Sequence, residues 1–220
     1  MIAAFPITEE VSGMSLSVEP AAVEALFARR VAPIEALGAN AGAVAAACHA
    51  MALRFHQGAR LLVFGNGGAA TDAQHITVEF VHPVIVGKPA LSAQCLVADV
   101  ATVTGLANRV GFDEVFAHQV QHLAAPEDIA LGVSADGNCG NVVHGLRAAQ
   151  RKGLLTVAMV GGDGGTLAAE SAVDHLLHAE TNDPLVVKEV HVTMYHLLWE
   201  LVHVLLEQPG VLAVPQGVAA

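Results

Sequence analysis

Residues 61–80 read LLVFGNGGAATDAQHITVEF, and the fold turns on this stretch. Residues 61–64 are apolar without a breaker, as in a parallel strand buried on both faces. Gly65, Asn66, Gly67 and Gly68 follow, a backbone free to turn sharply and to let a ligand come close. Thr71 and Asp72 suit the mouth of a helix, where unpaired N–H groups and the positive end of the macrodipole attract anions. His75 and Glu79 are four residues apart and so share one face of that helix. An anion cradle beside an acid–base pair points to chemistry on a small anionic molecule.

Outward from this unit, strands and helices alternate. The pattern predicts strands at 61–64, 93–98, 129–134, 154–160 and 173–177, with helices at 71–81, 113–123, 141–152 and 184–206. Such alternation makes an α/β fold, a doubly wound five-stranded parallel sheet flanked by helices. Ligands of these sheets sit beyond the carboxyl ends of the strands, where the strand order switches. Three glycine turns obey that rule and are expected to share one rim: GNGG after the first strand, SADGNCGN after the third, GGDGG after the fourth.

Upstream, residues 20–37 and 41–57 read as two helices, with Pro33 expected to kink or break the first. Residues 43–53 are small and apolar nearly all round, so that helix is expected to be buried, with a subunit interface the natural place. Residues 1–17, with Pro6 and Gly13 as breakers, read as a leader, 18–210 as one domain with an N-terminal helical arm for oligomerisation, and 211–220 as a tail.

Composition narrows the function. The chain has 220 residues, 54% of them hydrophobic, enough to bury a good core as one domain. A net charge of −11 argues against a nucleic-acid surface, which needs a basic stripe to release counterions. Cys48, Cys95 and Cys139 have neither metal-type nor disulfide-type spacing, which fits reduced thiols in a cytoplasm. The start, MIAAFPITEE, lacks the basic region of a signal peptide. No run is apolar enough for a membrane span.

The combination GNGGAATDAQHITVE, GVSADGNCGNV, VGGDGG and KEVHVTMYH resembles the sugar isomerase domain (SIS) family, most closely its phosphoheptose isomerase branch. Those enzymes interconvert sedoheptulose 7-phosphate and a heptose 7-phosphate. The resemblance implies the doubly wound sheet, a homotetramer with active sites shared between subunits, and a small phosphosugar substrate. It places Glu79 and His196 at the catalytic glutamate and histidine, the base on C–H and the proton donor to oxygen that such an isomerisation needs. It places His75, Glu79 and His196 at positions that hold zinc or a similar divalent metal in some members. Gly65, Asn66, Gly67, Gly68, Asn108, Ser134, Ala135, Asp136, Asn138, Cys139 and Lys188 are the implied substrate contacts. Glu189 and His191 fall on the E-x-H of the final helix and are expected to orient it, with Trp199 and His203 packing.

The chain departs from the family pattern at named places. Lys188 stands where a glutamine commonly completes the metal set, and an ammonium is a poor zinc ligand. Ala69 replaces a serine, Pro83 an arginine, and Ser134–Ala135–Asp136–Gly137–Asn138–Cys139 replaces S-T-S-G-N-S. Two unit charges about 4 Å apart interact by roughly 4 kcal/mol at an effective dielectric of about 20. Asp136 therefore either points away from a bound phosphate, is offset by Lys188 or another cation, or marks a different ligand. The alternatives are an isomerase of another phosphosugar, or a non-catalytic SIS-domain protein of the kind that associates with a replication initiator.

Overall fold

Strands β1 (Leu61–Gly65), β2 (Ala93–Cys95), β3 (Ile129–Ser134), β4 (Leu155–Gly161) and β5 (His175–Ala179) form one parallel sheet in the order β2-β1-β3-β4-β5. The computed structural model describes residues 18–171 and 173–212, so the 1–17 leader and residues 213–220 of the tail lie outside it. Every residue of β1, β3 and β4 is buried, as their unbroken apolar runs require of strands covered on both faces. Successive residues alternate between two cores. Leu61, Val63, Leu131, Val133 and Val157 join the first, and Leu62, Phe64, Ala130 and Ala158 the second.

Helices α1 (Pro20–Ala39), α2 (Ala41–His56), α3 (Gly68–Val81) and α8 (Pro184–Leu206) contribute their buried side chains to the first core. Helices α5 (Val115–Leu123) and α6 (Gly140–Lys152) cover the second, with α4 (Val100–Val110) and a 3₁₀ turn at Phe112–Glu114 leading into them. Short helices α7 (Gly165–Ala169) and α9 (Pro209–Leu212) complete the described elements. The chain leaves β1 outward to β2 and returns to β3 on the other side, so the switch in strand order lies between β1 and β3.

Several boundaries differ from the sequence expectation. Pro33 neither breaks nor ends α1, which runs on to Ala39; the bend, 59°, falls at Asn40 between α1 and α2. Tertiary ties hold α1 in place: Pro33 is itself buried, Arg29 lies 3.2 Å from Asp183, and Arg30 grips Glu189 at 2.6 and 2.8 Å. Within the chain, helix α2 buries one side. Val44, Ala47, Cys48, Met51, Ala52 and Phe55 pack within the chain, while Ala45, Ala46 and His49 are exposed. The more exposed apolar surface is on α1, at Val23, Phe27, Val31 and Ile34. Helix α4 was not expected; Asp99 caps it by accepting from Thr102 N at 3.1 Å. Strand β2 is three residues rather than six, and β5 begins at His175 because Asp174 instead accepts from the Thr156 backbone at 2.8 Å. No single helix among the described residues is long and apolar enough to cross a membrane.

Candidate active site

The β1–α3 turn sets one wall of the site. Helix α3 begins at Gly68, three residues earlier than expected, because Gly67 takes φ +55°, a conformation that costs a side chain but not glycine. Thr71 and Asp72 thus lie at the end of the first turn and the start of the second rather than at the mouth, and Thr71 Oγ1 donates to Gly68 O at 2.7 Å. The opposite wall comes from the β3–α6 loop. Asn66 and Asn141 clasp each other across the switch point through two side-chain amide bonds, 2.7 and 3.0 Å.

Between these walls lies a pocket of about 230 Å³, lined by Asn66, Gly68, Ala69, Asp72, Val133, Ser134, Ala135, Cys139, Pro184, Val187, Lys188 and His191. The first residues of α3 and α8 and the N-cap of α6 (Cys139) all line it. Three helix N-termini thus face one pocket, an arrangement that favours an anion.

Lys188 reaches over the start of α3. Its Nζ sits 2.5 Å from Asp72 Oδ1, 2.9 Å from Gly68 O and 3.3 Å from Thr71 Oγ1. Asp72 is buried, so the pair ties α8 to α3 inside the pocket. Asp136, for which Lys188 was an expected partner, is held by its own loop instead. Its Oδ1 accepts from Asn138 N at 2.9 Å and from Ser134 Oγ at 3.3 Å, an Asx turn. The side chain is not among those lining the pocket.

Helices α3 and α8 both leave the carboxyl ends of strands and run side by side, joined by polar rungs. Lys188 meets Asp72, Tyr195 Oη lies 2.7 Å from His75 Nδ1, and Trp199 Nε1 donates to Glu79 O at 2.8 Å. One turn beyond the pocket, His75, Glu79 and His196 bring ligand-type atoms within 4.8 Å of one another, and no other such group occurs among the described residues. Glu79 is 8% exposed and its Oε1 lies 3.2 Å from His75 Nε2. Two imidazoles and a carboxylate match the donor chemistry of a catalytic zinc site. Lys188, committed to Asp72, is not part of this group.

His191 lies between the rungs, 2% exposed, with Nε2 buried and unpartnered among the described residues. Burial holds its pKa below the ordinary value, opposed by the Val160 backbone and Asp72. Trp199 and His203 pack as expected, His203 being fully buried against Phe80 and Trp199.

The other implied contacts divide. Asn66, Gly68, Ser134, Ala135, Cys139 and Lys188 meet at the pocket, whereas Gly65, Gly67 and Asn138 shape the loops around it. Asn108 is not brought there by this chain: it is exposed on α4, which has no buried residue. The 161–165 loop is a buttress and not part of the pocket lining. At Gly137, φ +73°, a Cβ would fall 1.9 Å from Gly164 O, so the two loops press backbone to backbone. Tyr195 and the Lys188–Asp72 pairing are what sequence reasoning missed. Each contact spans more than a hundred residues, and the one available signal was the shared helical stripe of Lys188, His191 and Tyr195.

Known proteins resemble this chain in sequence and in fold. The SIS domain family matches residues 27–161. A phosphoheptose isomerase of Solidesulfovibrio magneticus is 42% identical over 169 residues, 76% of this chain and 81% of the relative. One from Nitratidesulfovibrio vulgaris (strain Miyazaki F) is 41% identical over 162 residues, 74% and 77% of the two chains. The solved phosphoheptose isomerase of Francisella tularensis superposes with a TM-score of 0.77 at 28% identity, covering 83% of this chain and 97% of that one. The chain belongs to the SIS domain family, on its phosphoheptose isomerase branch.

Proposed function

We propose that this protein isomerises sedoheptulose 7-phosphate to a heptose 7-phosphate. The observation that carries the reading is the acid–base group His75–Glu79–His196 one helical turn from a pocket faced by three helix N-termini. Ketose-to-aldose conversion removes a proton from C1 while the C2 carbonyl oxygen gains one. The resulting enediol is then protonated at C2 as the O1 hydroxyl proton leaves. Glu79, nearly buried beside His75, is placed to take and return the carbon-bound proton, and His196 to serve the oxygens. The phosphate lies toward the helix N-termini, where backbone N–H groups take the place of missing hydroxyls.

His75, Glu79 and His196 are also the side chains that would hold zinc or a similar divalent ion, which supplies Lewis-acid polarisation of substrate oxygens. The exposed apolar face of α1 (Val23, Phe27, Val31 and Ile34), which a second copy would cover, supports self-association, and the family resemblance is what takes this to a homotetramer. The free cysteines accord with a reducing cytoplasm. Formation of an aldose from sedoheptulose 7-phosphate, followed by chromatography or NMR on zinc-supplied protein, tests the activity. Failure to turn over this substrate while another phosphosugar reacts would move the assignment to that sugar. Light scattering showing a monomer at micromolar concentration would remove the tetramer.

A further inference from the structure

We propose that Tyr195 is the positioning residue that aims His75 Nε2 at the metal site, a role that rests on the metal reading above. The two nitrogens of His75 have different partners. Nδ1 lies 2.7 Å from Tyr195 Oη, and Nε2 lies 3.2 Å from Glu79 Oε1. Nε2 therefore faces the carboxylate of the donor group, and Nδ1 faces the phenol of Tyr195. A histidine ligates through a nitrogen that carries no proton, so its other nitrogen must carry one and needs an acceptor. Here that acceptor is the phenol oxygen.

A hydroxyl suits this position better than a carboxylate or an N–H. Without an ion, Nε2–H can donate to Glu79, and the tyrosine O–H then donates to Nδ1. With an ion at Nε2, the proton resides on Nδ1 and the same oxygen accepts it. Only a group that both donates and accepts keeps the ring in place through both states. The support is also rigid. Tyr195 is 2% exposed, packs edge-on to His75 with ring centroids 5.3 Å apart, and directly precedes His196 on α8. One peptide unit thus carries one ligand and the orienting group of another, across a helix pair pinned on either side by Lys188–Asp72 and Trp199–Glu79.

Outer partners of metal-bound histidines typically control metal affinity by roughly 10–100-fold. Tyr195→Phe keeps the ring and removes only the hydroxyl. Zinc affinity, measured by competition with a chromophoric chelator on chelator-stripped protein, is expected to weaken by about that factor, with far-UV circular dichroism unchanged. A Tyr195→Phe affinity within threefold of wild type overturns the role of Tyr195 and leaves the metal site standing. Wild-type protein that binds no zinc overturns the metal reading, and this proposal with it. A second measurement does not depend on the variant folding. Long-range ¹H–¹⁵N NMR of zinc-loaded wild type is expected to show His75 protonated at Nδ1; a proton on Nε2 refutes the assignment.

Discussion

Replacing Lys188 with methionine removes the charge that accompanies Asp72 into the pocket wall while keeping most of the apolar stem. The lysine makes three contacts at 2.5, 2.9 and 3.3 Å, and its side chain is 43% exposed; that of Asp72 is 6% exposed. An exposed ion pair contributes about 0–1 kcal/mol. Breaking a fully buried pair from one side costs about 3–5 kcal/mol, because the remaining charge stays buried without a partner. With one member buried and the other half in water, Lys188→Met is expected to cost about 2 kcal/mol between those limits. For a domain of this size that lowers the midpoint of thermal unfolding by about 4–8 °C. Adding Asp72→Asn removes the stranded charge, so the double variant is expected to recover at least half of the loss. Urea unfolding of wild type, both single variants and the double variant forms the cycle. A single-variant loss below about 0.5 kcal/mol, or effects that add within about 0.3 kcal/mol, refutes the ion pair as a structural tie.

Other consequences are equally accessible. His191 has its pKa held below the unfolded value of 6.5 by burial, so below that pH the unfolded chain takes up a proton that the folded one resists. Its contribution to stability is therefore complete above pH 6.5 and is lost as pH falls toward the lower folded value; His191→Asn is expected to flatten the decline in urea midpoint between pH 7 and 5, and an unchanged slope would deny that burial. Asp136→Ser keeps a hydroxyl acceptor for Asn138 N–H and removes one negative charge from the β3–α6 loop. Two charges roughly 6 Å apart at an effective dielectric of about 40 interact by about 1.4 kcal/mol, so calorimetric titration should show about tenfold tighter sedoheptulose 7-phosphate binding. Unchanged affinity would place the phosphate away from this loop. Alkylation of Cys139, which lines the pocket half-buried, is expected to be slowed by the same ligand, whereas Cys48, pushed up to about 12 by burial, stays unreactive in the folded protein. Equal labelling of Cys139 with and without ligand would separate the binding site from this pocket.

The strand–turn–helix unit was legible because its signals are local. Four apolar residues, a glycine turn and a histidine and glutamate one turn apart each act within a few residues of one another. The same holds for β3, β4 and the long final helix, whose apolar runs have no competing reading. Helix α4 was hidden because VATVTGLANRV mixes β-branched residues with Gly105, and what starts it is the Asp99 cap rather than propensity. Pro33 misled for the opposite reason: a strong local breaker is overruled by burial and by ion pairs from α1 to residues 183 and 189. At the site, the sequence marked His75, Glu79 and His196 but not what holds them. The contacts from Tyr195 and Lys188 to α3 join residues 120 and 116 positions apart, and only the folded helix pair brings them together. The Asp136 question was likewise unanswerable from sequence, since an Asx turn and a pocket-facing carboxylate share the same residues.

If Glu79 moves the carbon-bound proton of a sugar phosphate, Glu79→Gln should stop that transfer. The substitution removes the base while keeping size, hydrogen-bonding capacity and an oxygen that can still face the ion, whose content is measured in both proteins. Wild-type and variant protein, both supplied with zinc, are incubated with sedoheptulose 7-phosphate in deuterium oxide, and deuterium at C2 of the aldose product is followed by NMR. Labelled product is expected from wild type, with formation at least about a hundredfold slower in the variant and ligand affinity little changed. Turnover of the variant within tenfold of wild type would contradict this role of Glu79.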